Sequence, residues 1–125
     1  MRVLICDDEA EIRMLYRHAF ESHGVEVVEA SDGDDCIDVA TRTQPDLVIL
    51  DLFMPSRDGL SILPELVRCA PTSTVVVVSA HAAVDIFEQA RAKEATTCLD
   101  KLAFLPRVPK LIERYGHGSV PVTLS

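Results

Sequence analysis

Three short stretches of unbroken aliphatic residues constrain this chain more than any other feature: Val3-Leu4-Ile5, Leu47-Val48-Ile49-Leu50 and Val75-Val76-Val77-Val78. Apolar runs without polar alternation suit strands covered on both faces, and such strands belong to parallel sheets layered between helices. The runs predict strands over residues 2–7, 46–51 and 74–79. Residues 25–30 are interrupted by Glu26 and Glu29, as an edge strand can be, and residues 96–99 are a shorter candidate for the opposite edge. Five strands are expected.

Between them the apolar spacing becomes helical. Ile12, Leu15, Tyr16 and Ala19 fall at i, i+3, i+4 and i+7, as do Val108, Leu111, Ile112 and Tyr115. Residues 34–41 and 83–92 offer less strict apolar sides through Cys36, Ile37 and Ala40, and through Val84, Phe87 and Ala90. Strands alternating with helices predict an α/β doubly wound sheet. Pro64 is tolerated in a first helical turn but costs about 3 kcal/mol further in, so the third helix is expected to kink or to start near Ser61. Pro106 and Pro109 suit the opening turn of a last helix of about three turns that Gly116 can end.

A chain of 125 residues is one domain, long enough to close a core without disulfides or a structural metal. Residues 1–115 are expected to form it, with 116–125 as a C-terminal tail that is either frayed or docked through Val120, Val122 and Leu124. No apolar run approaches the roughly 18 to 20 residues of a membrane span, and the charged N-terminus lacks a secretory signal, so a cytoplasmic protein is expected. Cys6, Cys36, Cys69 and Cys98 lie about thirty residues apart, without the close pairs of zinc or redox motifs, and read as reduced and mostly buried. A formal charge of −8 repels polyanions, which disfavours a nucleic-acid interface and leaves protein partners.

The chemistry gathers where the strands end, since an open parallel sheet keeps its ligand crevice beyond the carboxyl ends of its strands. Asp7 and Asp8 close the first strand, Asp51 the third and Ser79 the fourth, and Lys101 follows the fifth. Three carboxylates crowded at one edge repel one another, and a hard divalent cation is the simplest way to neutralise them. Mg²⁺ takes a few oxygen ligands, keeps several waters and shares its remaining sites with phosphate. Asp51 can then act as an in-line nucleophile towards a phosphoryl group, with Lys101 and the Ser79 hydroxyl on its oxygens.

In order and spacing, Leu4-Ile5-Cys6-Asp7-Asp8-Glu9, Asp51 through Gly59, Ser79-Ala80 and Lys101 resemble the signature of the bacterial two-component response-regulator receiver domain over about residues 2 to 115. The resemblance implies a flavodoxin-like receiver fold with strand order 2-1-3-4-5. It implies Asp51 as phosphoacceptor, and Mg²⁺ held by Asp8, Asp51 and the Phe53 carbonyl with Asp7 acting through water. Ser79 and Lys101 would hold the phosphoryl oxygens. The donor would be a histidine kinase or a histidine phosphotransfer protein, and a downstream protein partner would read the change of shape. Phe53 and His81 stand where the family tunes hydrolysis, Phe53 as a shield and His81 as a titratable or merely solvated group.

The chain departs from the family's pattern around its fifth strand, with Glu94-Ala95 for glycine-alanine, Cys98 for the switching aromatic and Leu102 for the proline after the lysine. A cis bond before a residue other than proline costs about 2.5 to 4 kcal/mol, so Lys101 is either aimed through a trans bond or held in a strained loop. Cys98 cannot report the switch through a ring. A phosphorylation-dependent switch is the reading expected of this set, against an unphosphorylated receiver-like scaffold or a receiver excised from a DNA-binding regulator. Turnover of external substrates is not expected, because Phe53 occupies the place where aspartate-nucleophile phosphatases carry an acid.

Overall fold

The structure, a computed structural model, describes residues 1–54, 59–79, 88 and 104–115 together with the backbone of residues 97–100. Its strands are β1 (Arg2–Cys6), β2 (Glu26–Ala30), β3 (Leu47–Asp51), β4 (Thr74–Ser79) and the short β5 (Thr97–Asp100). All pairings are parallel and the sheet runs β2-β1-β3-β4-β5. The helices described are α1 (Ala10–Glu21), α2 (Gly33–Thr43), α3 (Gly59–Cys69) and α4 (Val108–Tyr115), the last preceded by a 3₁₀ turn at Leu105–Arg107 that takes up Pro106. The expected α/β layout is what the chain adopts.

Alternation along each strand builds two cores. Leu4, Cys6, Val48, Leu50, Val75 and Val77 meet α2 and α3 through Cys36, Val39, Ala40, Ile62, Leu63 and Leu66. Val3, Ile5, Leu47, Ile49, Val76 and Val78 meet the other layer, where Tyr16, Phe20, Phe104, Val108 and Leu111 are buried. Tyr16 and Phe104 pack with ring centroids 4.6 Å apart. Successive side chains of a strand point to opposite faces, so a strand covered on both sides needs apolar residues at every position. The sequence supplies them in β1, β3 and β4.

One detail of the helices differs from expectation. In α1 Tyr16 and Phe20 are buried and Ile12 and Ala19 pack half-buried beside them, while Leu15 is 48% exposed beside the still more exposed Met14. Phe20 stands one turn after Tyr16 on the same face and belongs to the cluster that holds Val25 and Val27. α3 runs Gly59–Cys69, close to the expected start near Ser61, and Pro64 lies in its second turn. There it cannot donate to the carbonyl four residues back. α2 opens on Asp32, whose carboxylate accepts from the N–H of Asp35 at 2.8 Å.

The cysteines need a correction. Cys6 and Cys36, expected as reduced, are joined as a disulfide with Cα atoms 6.0 Å apart, while Cys69 is a free thiol. Residues 30 apart in sequence meet because the end of β1 and the first turn of α2 share one core layer, which sequence spacing alone does not reveal. The expected helix at residues 83–92 (apart from the helical Glu88), the tail at 116–125, and Lys101, Leu102 and His81 lie outside the described residues, as does the side chain of Cys98.

Candidate functional site

Polar residues follow the apolar runs at the carboxyl rim of the sheet. Asp51 is the last residue of β3 and Ser79 the last of β4, and both are buried, as is Asp7 just beyond β1. Asp8 is exposed. One carboxylate oxygen from each of Asp7, Asp8 and Asp51 lies within 4.8 Å of the others. The sequence therefore named three residues that the fold does bring together.

Hydrogen bonds to the backbone fix Asp7 and Asp51. The N–H of Asp7 extends the β1–β2 ladder by one bond to the Ala30 carbonyl at 3.1 Å, and Asp7 Oδ1 accepts from the N–H of Glu9 at 2.9 Å. Asp51 Oδ1 accepts from the N–H of Phe53 at 3.2 Å, and the N–H of Leu52 reaches the Val78 carbonyl at 3.2 Å. The Phe53 side chain is half exposed over this rim.

Arg13 also touches the site, although the sequence did not single it out. Its Nη1 donates to the Asp7 carbonyl at 2.7 Å and its Nε to Glu29 Oε1 at 2.9 Å. Glu29 in turn accepts from Arg17 Nε at 2.7 Å, and Arg17 Nη2 donates to the Val27 carbonyl at 3.2 Å. An arginine four residues inside a helix reads from sequence as a solvated side chain. Only the packing of α1 on β2 reveals its partners.

The donor set fits a hard divalent cation. All three side chains offer carboxylate oxygens, and two ligands of one Mg²⁺ at about 2.1 Å stand at most about 4.2 Å apart. The observed 4.8 Å bound leaves little to close. Without a counterion, three carboxylates this near, two of them on buried residues, repel in a medium that screens poorly.

Comparisons with known proteins point to one family. A family model described as the response regulator receiver domain matches residues 3–113. The chain is 27% identical over 91% of its length to sporulation initiation phosphotransferase F of Bacillus subtilis, of which it covers 92%. It is 42% identical over 80% of its length to the transcriptional regulatory protein PdtaR of Mycobacterium tuberculosis, but spans only 49% of that protein. Among solved structures, the signal receiver domain of the putative response regulator NarL from Mycobacterium tuberculosis superimposes with a TM-score of 0.81 at 31% identity, over 89% of this chain and 91% of that one. The Vibrio cholerae chemotaxis protein CheY4 does so with a TM-score of 0.82 at 23% identity, over 91% and 97%, and supports the fold alone.

Proposed function

This chain belongs to the response regulator receiver domain family, and on that premise we propose that it is a phosphorylation-dependent signalling switch whose phosphoacceptor is Asp51. The observation that carries the reading is the gathering of Asp7, Asp8 and Asp51 within 4.8 Å at the carboxyl rim, next to the buried end of β4. Residues 1–115 form the receiver, which takes in a five-stranded sheet with β5 at its edge, and 116–125 are a tail.

Asp8, Asp51 and the Phe53 carbonyl would hold Mg²⁺, with Asp7 acting through a water. When bound, the ion offsets negative charge on the phosphoryl oxygens. An Asp51 carboxylate oxygen attacks the phosphorus in line. The bond from phosphorus to the donor's histidine nitrogen breaks, and its electron pair stays with the imidazole. The product is an aspartyl phosphate and a free histidine on a kinase or phosphotransfer protein. Ser79 donates its hydroxyl proton in a hydrogen bond to a phosphoryl oxygen, and the Lys101 ammonium pairs with another.

The Ser79 contact also supplies the switch. A charge-assisted hydrogen bond contributes about 1.5 to 3 kcal/mol, and about 1.4 kcal/mol changes a conformational ratio tenfold. Movement of Ser79 towards the phosphate shifts the end of β4 and alters the face offered to a downstream protein. With Cys98 in place of an aromatic, that coupling runs through backbone and not through a ring.

Intact mass after incubation with Mg²⁺ and a small-molecule phosphodonor tests the reading, with chelator and Asp51→Asn controls. One phosphoryl group is expected, dependent on metal and absent from the variant. Mg²⁺ binding without phosphoryl uptake would instead favour the scaffold reading.

A further inference from the structure

We propose that Arg13 is a positioning residue for the acid rim: its guanidinium fixes the peptide between Asp7 and Asp8 against β2, and thereby sets where Asp8 presents its carboxylate to a divalent cation. The inference rests on reading Asp7, Asp8 and Asp51 as the residues that hold that cation.

The peptide joining Asp7 to Asp8 is planar, so the direction of the Asp7 carbonyl also fixes the direction in which the Asp8 N–H and Cα leave the strand. The ladder secures the Asp7 N–H, through Ala30, and Arg13 Nη1 secures the carbonyl on the other side of the residue at 2.7 Å. A bond this short is characteristic of a charged donor. Asp8 is exposed and follows directly, so its main-chain direction is set by the residue that Arg13 holds.

The holder is itself held. Arg13 Nε engages one oxygen of Glu29 at 2.9 Å while Arg17 Nε engages the other at 2.7 Å, so the carboxylate is divided between two guanidiniums. Arg13 is the least exposed of the three, with 18% of its side chain accessible against 31% for Glu29 and 37% for Arg17. The planar fork spans a carbonyl and a carboxylate at once. A lysine ammonium, a single compact donor group on a flexible stem, does not reproduce that two-point grip.

The molecule contains a matched control at its other end. Arg2, at the start of β1, pairs with Glu26 through Nε at 3.0 Å and donates Nη1 to the Thr43 carbonyl at 2.8 Å. It has the same partner types, one glutamate and one backbone carbonyl, but stands at the opposite end of the strand from the acids. An effect on the rim that is merely structural should follow the loss of either arginine.

The test is calorimetric titration of the full chain with MgCl₂ at fixed ionic strength, for wild type, Arg13→Gln, Arg13→Lys, Glu29→Gln and Arg2→Gln, with thermal unfolding of each in chelator. Arg13→Gln and Arg13→Lys are expected to weaken Mg²⁺ binding about 10-fold, the lower end of what losing an outer partner of a metal ligand costs. Glu29→Gln should move affinity in the same direction by less, and Arg2→Gln should leave it within about twofold even where its unfolding temperature falls as far. Equal Mg²⁺ affinity in Arg13→Gln and Arg2→Gln overturns the proposal, as does wild-type affinity in Arg13→Lys. A wild-type chain that binds no Mg²⁺ overturns the cation-holding rim itself, and the positioning role falls with it. Glu29→Gln, which leaves the Asp7 carbonyl contact in place, decides the matter if the Arg13 variants do not fold.

Discussion

A Cβ built on Gly59 would stand 2.6 Å from the backbone oxygen of Asp51 and 2.8 Å from the Cα of Leu52, so α3 can begin where it does only because residue 59 has no side chain. Both obstacles are backbone, and β3 is held by ladders on both sides. Gly59→Ala is therefore expected to push the start of α3 outward and to destabilise by about 1 to 3 kcal/mol, read as a lower denaturation midpoint. Ser79→Ala leaves a fully buried site without its hydroxyl. It is expected to slow phosphoryl uptake roughly 10- to 150-fold with Mg²⁺ binding intact, as measured by stopped-time mass spectrometry. At the other end of β1, a hydrogen bond from the Arg2 guanidinium, aided by its charge, holds the exposed Glu26 carboxyl below the usual carboxylate range. A depressed folded pKa gives stability that is present above the unfolded value of about 4.3 and is lost as pH falls through the folded one. Glu26→Gln should therefore flatten the acid side of the stability profile below that pH, checked by denaturation midpoints across it. Asp7, Asp51 and Ser79 were legible from sequence because each is a polar residue directly after an apolar run. Arg13 was not, because its partners belong to another element.

At the scale of elements, the β1–α2 staple has the largest expected effect. Closing a loop of 30 residues removes denatured-chain freedom, for which the chain-entropy relation gives about 3 to 4 kcal/mol. Reduction of Cys6–Cys36 is expected to lower stability by about that amount, and thiol counts on the unfolded chain with and without reductant establish the starting state. The sequence hid this pair because spacing says which face of an element a residue takes but not which residue it meets across a layer. It also placed Leu15 in the α1 stripe, since the i, i+3, i+4 pattern accepts it beside Ile12, whereas the buried face runs through Tyr16 to Phe20 on the other side of Ile12. The strands were read more closely. Unbroken aliphatic runs have few alternatives, whereas an amphipathic helix can rotate by a residue at modest cost.

For the whole molecule, the rule of alternating strands and helices was enough to anticipate the α/β layout, and the resemblance to receivers gave the strand order. Among the described residues no helix is long and apolar enough to cross a membrane. With a formal charge of −8 and three acids at one rim, the folded chain carries self-repulsion that a bound cation relieves. Mg²⁺ at about 100 times its dissociation constant is expected to raise stability by about 2.7 kcal/mol, seen as a higher unfolding temperature that chelator reverses and Asp51→Asn largely abolishes. The position of β3 also bears on time. Every residue of this strand is buried, and it is bonded to β1 on one side and β4 on the other. Amides so enclosed exchange with solvent deuterium only when the molecule unfolds as a whole, while exposed loops exchange by local opening. Asp51 thus hangs from a stretch of backbone enclosed on both sides, whereas Asp8 lies exposed just beyond the end of β1. The proposed acceptor keeps its place through every lesser fluctuation, and the place of Asp8 rests on the one peptide that Arg13 holds.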